Sequence, residues 1–355
     1  MTPSTPTEAS SATSASIPQQ ILPGARVLLT GASGLLGRSV AQRLADTGFS
    51  VTTLQRGPSG VDGARDVRGS LTDVDVVATA MRGQDAVVHM AAKVSVTGRQ
   101  QDFIDVNVHG TENILDAAEA AGVDHVLHVS SPSVAHAGAS LVGEAAGAPD
   151  PGAAEGHYAR TKAEAELLVE ARAAAGLKVL IVRPHLIWGP GDGQLTRRIV
   201  DRARSDRLPL LGSGAALVDT LFIDNAVDAF AAALRRLPLN HGKRLVLTNG
   251  EPRPIGELLI GIAEAGGARR PRLRVAPGLA KAAGLAVEKA WAVAERTVGA
   301  FDDEPPMTKF LAEQLSTAHW FDQRETRAAL DWVPAVSIDE GLARLAEHVR
   351  RTGGV

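Results

Sequence analysis

Tyr158 and Lys162 stand four residues apart in the run Tyr158-Ala159-Arg160-Thr161-Lys162, and Tyr158 is the single tyrosine of the 355-residue chain. At the start of a helical pattern, that spacing puts both side chains on one face, about one turn apart. A phenol ordinarily ionises near pH 10, so it exchanges protons poorly at neutrality. An ammonium beside it favours the phenolate and moves the group toward a useful range. The pair therefore suits proton transfer at a substrate oxygen. The bland alternative is a chance lysine on a solvated face.

A second chemical motif precedes it. Thr30-Gly31-Ala32-Ser33-Gly34-Leu35-Leu36-Gly37 lies between an apolar run, Arg26–Thr30, and a helical pattern over Gly34–Thr47. Three glycines at three-residue spacing permit a tight turn, close approach to a pyrophosphate, and close packing of helix on strand. Free amides and the positive dipole at the helix start then favour the anion. Such a trio is specific only because it closes a strand and opens a helix. Gly31, Ser33, Gly34, Leu35, Leu36 and Gly37 are accordingly expected to bind a dinucleotide. Past the next strand-like run, Phe49–Leu54, comes Arg56, and no Asp or Glu lies between Ser50 and Gly60. An NAD site usually carries an acid there for the ribose hydroxyls, whereas arginine suits a 2′-phosphate. The expected cofactor is NADP(H).

Other chemistries are poorly served. Cysteine is absent, which removes disulfides, thiolate catalysis and Cys-ligated zinc together. It also makes the cytoplasm the expected compartment. The ten histidines show no His-x-x-x-His spacing, so no metal is expected. His89 and His128 sit in apolar runs and read as satisfied core residues. Arg197 and Arg198 could meet a substrate carboxylate, but a solvated helix face is favoured. With 37 Lys+Arg against 40 Asp+Glu, no broad positive field invites nucleic acid.

The elements that must hold these residues follow from the hydrophobic pattern. Strand-like runs at Asp85–Met90, His125–Val129, Lys178–Val182 and Lys243–Leu247 alternate with helical stretches at Val106–Ala121 and from His157 to Ala175. Alternation of this kind predicts right-handed crossovers and an α/β, doubly wound parallel sheet, the Rossmann architecture. Residues 1–22, rich in Ser, Thr, Ala and Pro, read as a disordered tail. Residues 23–188 and 217–250 are expected to form the dinucleotide-binding domain, and 189–216 with 251–355 a smaller substrate lobe. Ligands bind beyond the carboxyl ends of such strands, so the lobe should roof that edge. No run reaches the about 18 apolar residues of a membrane span.

The glycine turn and the Tyr-Lys pair together resemble the extended short-chain dehydrogenase/reductase family, from about Ala25 to the C-terminus. Matching segments include Ala91-Ala92, Asn107-Val108-His109-Gly110-Thr111, Ser130-Ser131 and Arg183-Pro184. The resemblance implies that Ser131 hydrogen-bonds the substrate oxygen and that Lys162 contacts the nicotinamide ribose. It also implies cofactor contacts from Ala91 and Ala92, and from backbone around Pro184 and Leu186, with His185 at the mouth of the nicotinamide pocket. Gly69-Ser70 departs from a common Gly-Asp near the adenine. Arg183–Asp192 (RPHLIWGPGD), Leu217–Thr220, Ile223–Ala226, Pro306–Phe310 and His319–Phe321 narrow the likeness to the 3β-hydroxysteroid dehydrogenase-like branch. Within it, the set looks most like reductases of 2-alkyl-3-oxoalkanoic acids in bacterial long-chain olefin biosynthesis. That implies NADPH-dependent reduction of a lipid-like β-keto acid, with 3β-hydroxysteroid or sterol-4α-carboxylate dehydrogenases as the alternative. The family further implies a homodimer, paired through Val106–Ala121 and His157–Ala175, and allows assembly with other enzymes of the pathway. A dinucleotide sensor would have no use for the proton donor, and a nucleotide-sugar epimerase would share the trio.

A last amphipathic stretch is Gly278–Val298. Lys281, Glu288, Lys289, Glu295 and Arg296 mark one face; Leu279, Ala283, Ala286, Ala290 and Ala294 mark the other. This predicts a lid helix whose small-residue face packs on the second lobe and which stays off anionic vesicles; the alternative is an amphipathic element at a membrane surface or partner protein, where a long-chain substrate could enter without crossing water.

Overall fold

The structure is a computed structural model that describes residues 20–95, 98–136, 138–298, 313 and 315–355, with the helix backbone alone over 288–298. β1 (Arg26–Thr30), β2 (Ser50–Gln55), β3 (Arg65–Arg68), β4 (Ala86–His89), β5 (His125–Val129), β6 (Lys178–Pro184) and β7 (Arg244–Leu247) form one seven-stranded sheet. Its order is β7-β6-β5-β4-β1-β2-β3 and all neighbours run parallel. The chain leaves β1 toward β3 and returns to β4, so the topological switch lies between β1 and β4. Ligands sit at that crevice in open sheets.

Helices cover both faces, which is why the strands read as apolar runs. They are α1 (Leu35–Asp46), α2 (Val74–Met81), α3 (Gly110–Ala121), α4 (Gly156–Ala174), α5 (Leu195–Arg204), α6 (Ile223–Asn240), α7 (Ile255–Ala265), α8 (Pro277–Val298) and α9 (Ile338–Thr352). Alternate strand residues face opposite ways. Val27, Leu29, Val88, Leu127 and Leu180 pack with Val40 and Leu44 of α1 and Phe230 and Leu234 of α6. Leu28, Val87, Val126 and Val179 pack with Met81, Ile114, Leu115 and Val169 of α2, α3 and α4.

The sequence reading contains neither β3 nor α2. β3 is Arg-Asp-Val-Arg on the sheet edge, mostly exposed, and so lacks an apolar run. α2 is short and valine-rich, a composition that does not favour a helix; the Asp73 carboxylate caps it by accepting from the Val76 amide at 3.2 Å. The helix expected over Val106–Ala121 opens with a π turn, Ile104–His109, before α3. Ile21 is buried and its amide donates to the Arg235 carbonyl at 3.0 Å, so packing begins ahead of position 23. Residues 1–19, and the motif Pro306–Phe310, lie outside the described residues.

Elements from the two sides of the expected boundaries interleave. A small sheet joins Arg253–Pro254, Leu217–Val218, His319–Phe321 and Leu141–Glu144 in that order. Two of these strands come from segments expected in the dinucleotide domain. Conversely, the helix Arg324–Leu330 packs on the large sheet's edge, with Thr326 Oγ1 donating to the Val246 carbonyl at 3.0 Å. Strands of two to four residues carry no readable period, which is why sequence reasoning could not assign them.

The expected face of α8 is also wrong. Ala280 and Gly284 turn inward, whereas Leu279, Ala283 and Ala286 are exposed. Ala290 and Ala294 lie where only the backbone is described. Among the described residues, no helix is long and apolar enough to cross a membrane.

Candidate active site

The glycine turn is built as its chemistry requires. Gly31 has φ +86° and a Cβ there would stand 2.9 Å from the Ala91 backbone. A Cβ on Gly37 would meet the Gly31 carbonyl oxygen at 2.3 Å, so only glycine lets α1 close on the turn. Gly34 caps α1 with extended backbone; its nearest obstacle is the Gly31 oxygen at 3.7 Å, leaving that side open. The first turn of α1 has no acidic residue and no side-chain cap. Its amides, including those of Leu35 and Leu36, point toward any anion placed beside Ser33 and Gly34. A dinucleotide pyrophosphate fits this cradle.

A buried hydrogen-bond chain ties the turn to the catalytic helix. Thr30 Oγ1 accepts from the Met90 and Ala91 amides at 3.1 and 3.0 Å, fixing the segment with Ala91 and Ala92. Its proton goes to His89 Nδ1 at 2.8 Å, which leaves His89 Nε2 to donate to Thr111 Oγ1 at 3.0 Å. Thr111 donates in turn to the Asn107 carbonyl at 2.7 Å. The Asn107 side chain accepts from the Lys93 amide at 2.7 Å and donates to Thr161 Oγ1 at 3.0 Å. Asn107 sits in the π turn, a feature that often marks functional sites. Sequence reasoning noted its segment but gave it no task. His89 is thus the satisfied core histidine expected. His128 is not: it is fully buried and neither ring nitrogen has a hydrogen-bond partner among the described residues.

Ser131, Tyr158 and Lys162 come together beyond the carboxyl end of β5. Ser131 begins a short 3-10 turn, Pro132–Ala135, and its hydroxyl lies 2.9 Å from that of Ser133. Burial pushes the Tyr158 phenol above its ordinary value, and a hydrogen bond with Ser131 pulls it part of the way back. Lys162 Nζ is turned to the Val129 carbonyl at 2.6 Å. Burial lowers its pKa to about 8, opposed by the Glu166 carboxylate. In this arrangement the ammonium donates to a backbone oxygen rather than to the phenol.

Glu166 was missed, although it lies one turn beyond Lys162 on the same face. Its carboxylate is fully buried and takes two hydrogen bonds from Arg183, from Nε at 3.1 Å and from Nη2. Arg183 Nη1 also donates to the Gly147 carbonyl at 2.8 Å. One ion pair thus ties α4, β6 and the segment leading to Tyr158. Beyond Pro184, His185 donates its amide to the Leu247 carbonyl and its Nδ1 lies 2.6 Å from the Asp219 carbonyl. Burial lowers the His185 pKa to about 4. Leu186 follows with φ +46°, a conformation non-glycine residues rarely hold and one concentrated at functional sites.

At the adenosine end, Arg56 is exposed beyond β2. Arg38, which directly follows the third glycine, lies under the facing turn, near Gly60. The nearby Asp66 is occupied: it accepts from Thr53 Oγ1 and Ser59 Oγ, both at 2.6 Å, and is no free partner for a ribose. Sequence reasoning missed Arg38, whose place after Gly37 was the available signal. Arg197 is exposed and lies 3.5 Å from Asp201, as on a solvated helix face. Among the described residues, no group of three or more His, Asp or Glu could hold a metal ion.

A parallel sheet of this order, a glycine turn opening α1, and a Ser-Tyr-Lys set past β5 define a dinucleotide-dependent oxidoreductase. Residues 27–247 match the model of the NAD dependent epimerase/dehydratase family. The chain belongs to that family and is of the extended short-chain dehydrogenase/reductase type. It is 38% identical over 329 residues to a 2-alkyl-3-oxoalkanoate reductase of Stenotrophomonas maltophilia (strain K279a), covering 90% of this chain and 98% of that protein. It is 35% identical over 331 residues to a 2-alkyl-3-oxoalkanoate reductase of Shewanella oneidensis, covering 89% and 84%. Among solved structures, UDP-glucuronic acid 4-epimerase from Bacillus cereus in complex with NAD superposes with a TM-score of 0.71 at 18% identity, over 92% of this chain and 99% of that one. The protein is an oxidoreductase and its cofactor is a nicotinamide dinucleotide.

Proposed function

We propose that this chain reduces the 3-keto group of a 2-alkyl-3-oxoalkanoic acid to the 3-hydroxy acid with NADPH, as a step in long-chain olefin biosynthesis. The observation that carries the reading is the near full-length likeness to two reductases of that name, joined to an intact Ser131-Tyr158-Lys162 set. When bound, the nicotinamide supplies hydride to the ketone carbon. Ser131 holds the ketone oxygen, and Tyr158 delivers the proton that completes the new hydroxyl. Lys162, freed from the Val129 carbonyl, would reach the nicotinamide ribose and favour the phenolate left behind. Asn107 fixes the start of α4 through Thr161, and the Leu186 backbone would border the nicotinamide.

NADPH is supported by Arg38 and Arg56 facing the adenosine end while Asp66 is engaged elsewhere. A 2′-phosphate there would take charge-assisted bonds from both guanidinium groups. NADPH should bind at least tenfold more tightly than NADH, and Arg56→Ala should remove most of that ratio. Equal affinities would reject the assignment. A homodimer through α3 and α4 is supported by Leu167, 42% exposed on α4. Sedimentation of the purified chain tests it.

The substrate is tested by following nicotinamide absorbance with a 2-alkyl-3-keto acid and, separately, a 3β-hydroxysterol. Turnover is expected with the first; turnover with the sterol alone would overturn the reading. Tyr158→Phe should lose about 10²–10⁴-fold in turnover while keeping its cofactor dissociation constant.

A further inference from the structure

One edge of the smaller lobe joins two features that the reductase reading does not use. Between α7 and α8 the chain runs Arg269-Arg270-Pro271-Arg272-Leu273-Arg274. Arg269, Arg270 and Arg272 are exposed and line a groove of about 520 Å³ with Ala203, Asp206 and Leu208. Arg274 donates to the Gly212 carbonyl at 3.2 Å, but the other three have no hydrogen-bond or ion-pair partner among the described residues. A chain of net charge −3 has gathered three guanidinium groups around one groove that holds a single carboxylate, Asp206.

The helix that follows turns its apolar side outward. Over the first three turns of α8, Ala280 and Gly284 are buried, while Gly278, Leu279, Ala282, Ala283, Leu285 and Ala286 are exposed. At 100° per residue these positions form one continuous arc of about 160° with no polar side chain. Leu279 is 66% exposed, Leu285 44%, and the preceding Leu273 50%. Lys281, the one charge in these turns, borders the buried side, 38% exposed and 3.6 Å from Glu313. An ordinary surface helix has the opposite arrangement.

We propose that this edge docks on an anionic phospholipid bilayer, the groove arginines meeting headgroup phosphates while Leu279 and Leu285 enter the acyl boundary. Unpaired basic groups beside exposed leucines are what such a surface recognises. A second copy of the chain is a worse fit, because a two-fold contact through this edge would bring its own arginines together. Lys281 of the same helix pairs with Glu313, whose carboxylate lies close to Gly138, in the segment that follows Ser131. A long-chain ketone could then pass from bilayer to site without crossing water. That purpose rests on the proposed substrate; the docking does not.

Flotation of the full chain with vesicles of phosphatidylcholine, with and without phosphatidylglycerol, tests the proposal without any substrate. The unmodified protein should float with phosphatidylglycerol vesicles only, and added salt should release it. Arg269→Gln, Arg270→Gln and Arg272→Gln should each lower partitioning about fivefold, the factor for about 1 kcal/mol per basic residue at an anionic surface. Leu279→Ser should lower it about tenfold. All four should keep wild-type melting and turnover on a short, water-soluble keto acid. Failure of the unmodified protein to float, or flotation undiminished by the arginine changes, overturns the docking. So does a lipid-free dimer that Leu279→Ser dissolves. A chain that floats but reduces no keto acid rejects the substrate reading alone.

Discussion

Glu166→Gln removes one charge from a pair in which both partners are almost wholly inside the protein, Glu166 at 0% and Arg183 at 1% exposure. The amide can still accept one hydrogen bond from Arg183, but the guanidinium keeps its charge with no counter-ion. Breaking such a buried pair typically costs about 3–5 kcal/mol. The retained bond puts the expected loss at the lower end, about 3 kcal/mol in a urea denaturation series. A second effect has the same origin. The Glu166 carboxylate supports the protonated form of Lys162, whose pKa burial has already lowered to about 8. Without it Lys162 loses its proton earlier, so the alkaline limb of the pH–turnover profile should move to lower pH. The double variant Glu166→Leu with Arg183→Met separates the two effects. Apolar replacement of a whole buried pair is often close to neutral, so stability should recover while the shifted limb persists. If Glu166→Gln costs less than about 1 kcal/mol and leaves the limb in place, the pair neither stabilises the site nor supports Lys162.

Two glycine substitutions should separate folding from cofactor binding. Gly37→Ala sets a methyl 2.3 Å from the Gly31 oxygen and should cost about 1–3 kcal/mol in thermal or urea unfolding. Gly34→Ala meets nothing closer than 3.7 Å, so the melting temperature of the cofactor-free chain should hold while dinucleotide affinity falls about tenfold or more. Unchanged affinity would remove the pyrophosphate from this turn. Acid should destabilise the protein for a stated reason. Burial holds His89 at about 3, His185 at about 4 and His319 at about 3, against an ordinary 6.5. Below pH 6.5 the unfolded chain takes up protons that the folded chain refuses, so their contribution is full above that pH and is lost as pH falls. Asp219 opposes them: its pKa is raised to about 6 from 3.8, so its contribution is full below 3.8 and lost as pH rises through 6. These three against Asp219 leave a net loss of about 3 kcal/mol per pH unit between pH 6 and 4, and His128, which burial also holds well below its ordinary value, adds to it. Urea midpoints at pH 7, 6 and 5 would show it; a flat or rising trend on acidification would contradict the burial of these histidines.

What the residues determined by themselves was local or periodic. The apolar runs and the helical spacings between them specify a parallel doubly wound sheet, because buried strands and their crossover helices each carry their own period. The glycine trio and the Tyr158–Lys162 spacing are readable for the same reason: a turn conformation and a helix face are set within a few residues. Other features needed the tertiary structure. Glu166 matters because β6 brings Arg183 to it, and Asn107 because its π turn, the segment after β4 and α4 converge on its side chain. The edge strand β3 and the two-residue strands of the small sheet have no period of their own, so only their neighbours make them strands. Lys162 was expected to act on the Tyr158 phenol, yet the fold offers its ammonium the Val129 carbonyl, which helix spacing cannot foresee. α8 shows the limit most plainly. Its sequence separates a small apolar face from a charged one, but which face turns inward depends on what the lobe presents, and here the inward side is the line of Ala280 and Gly284.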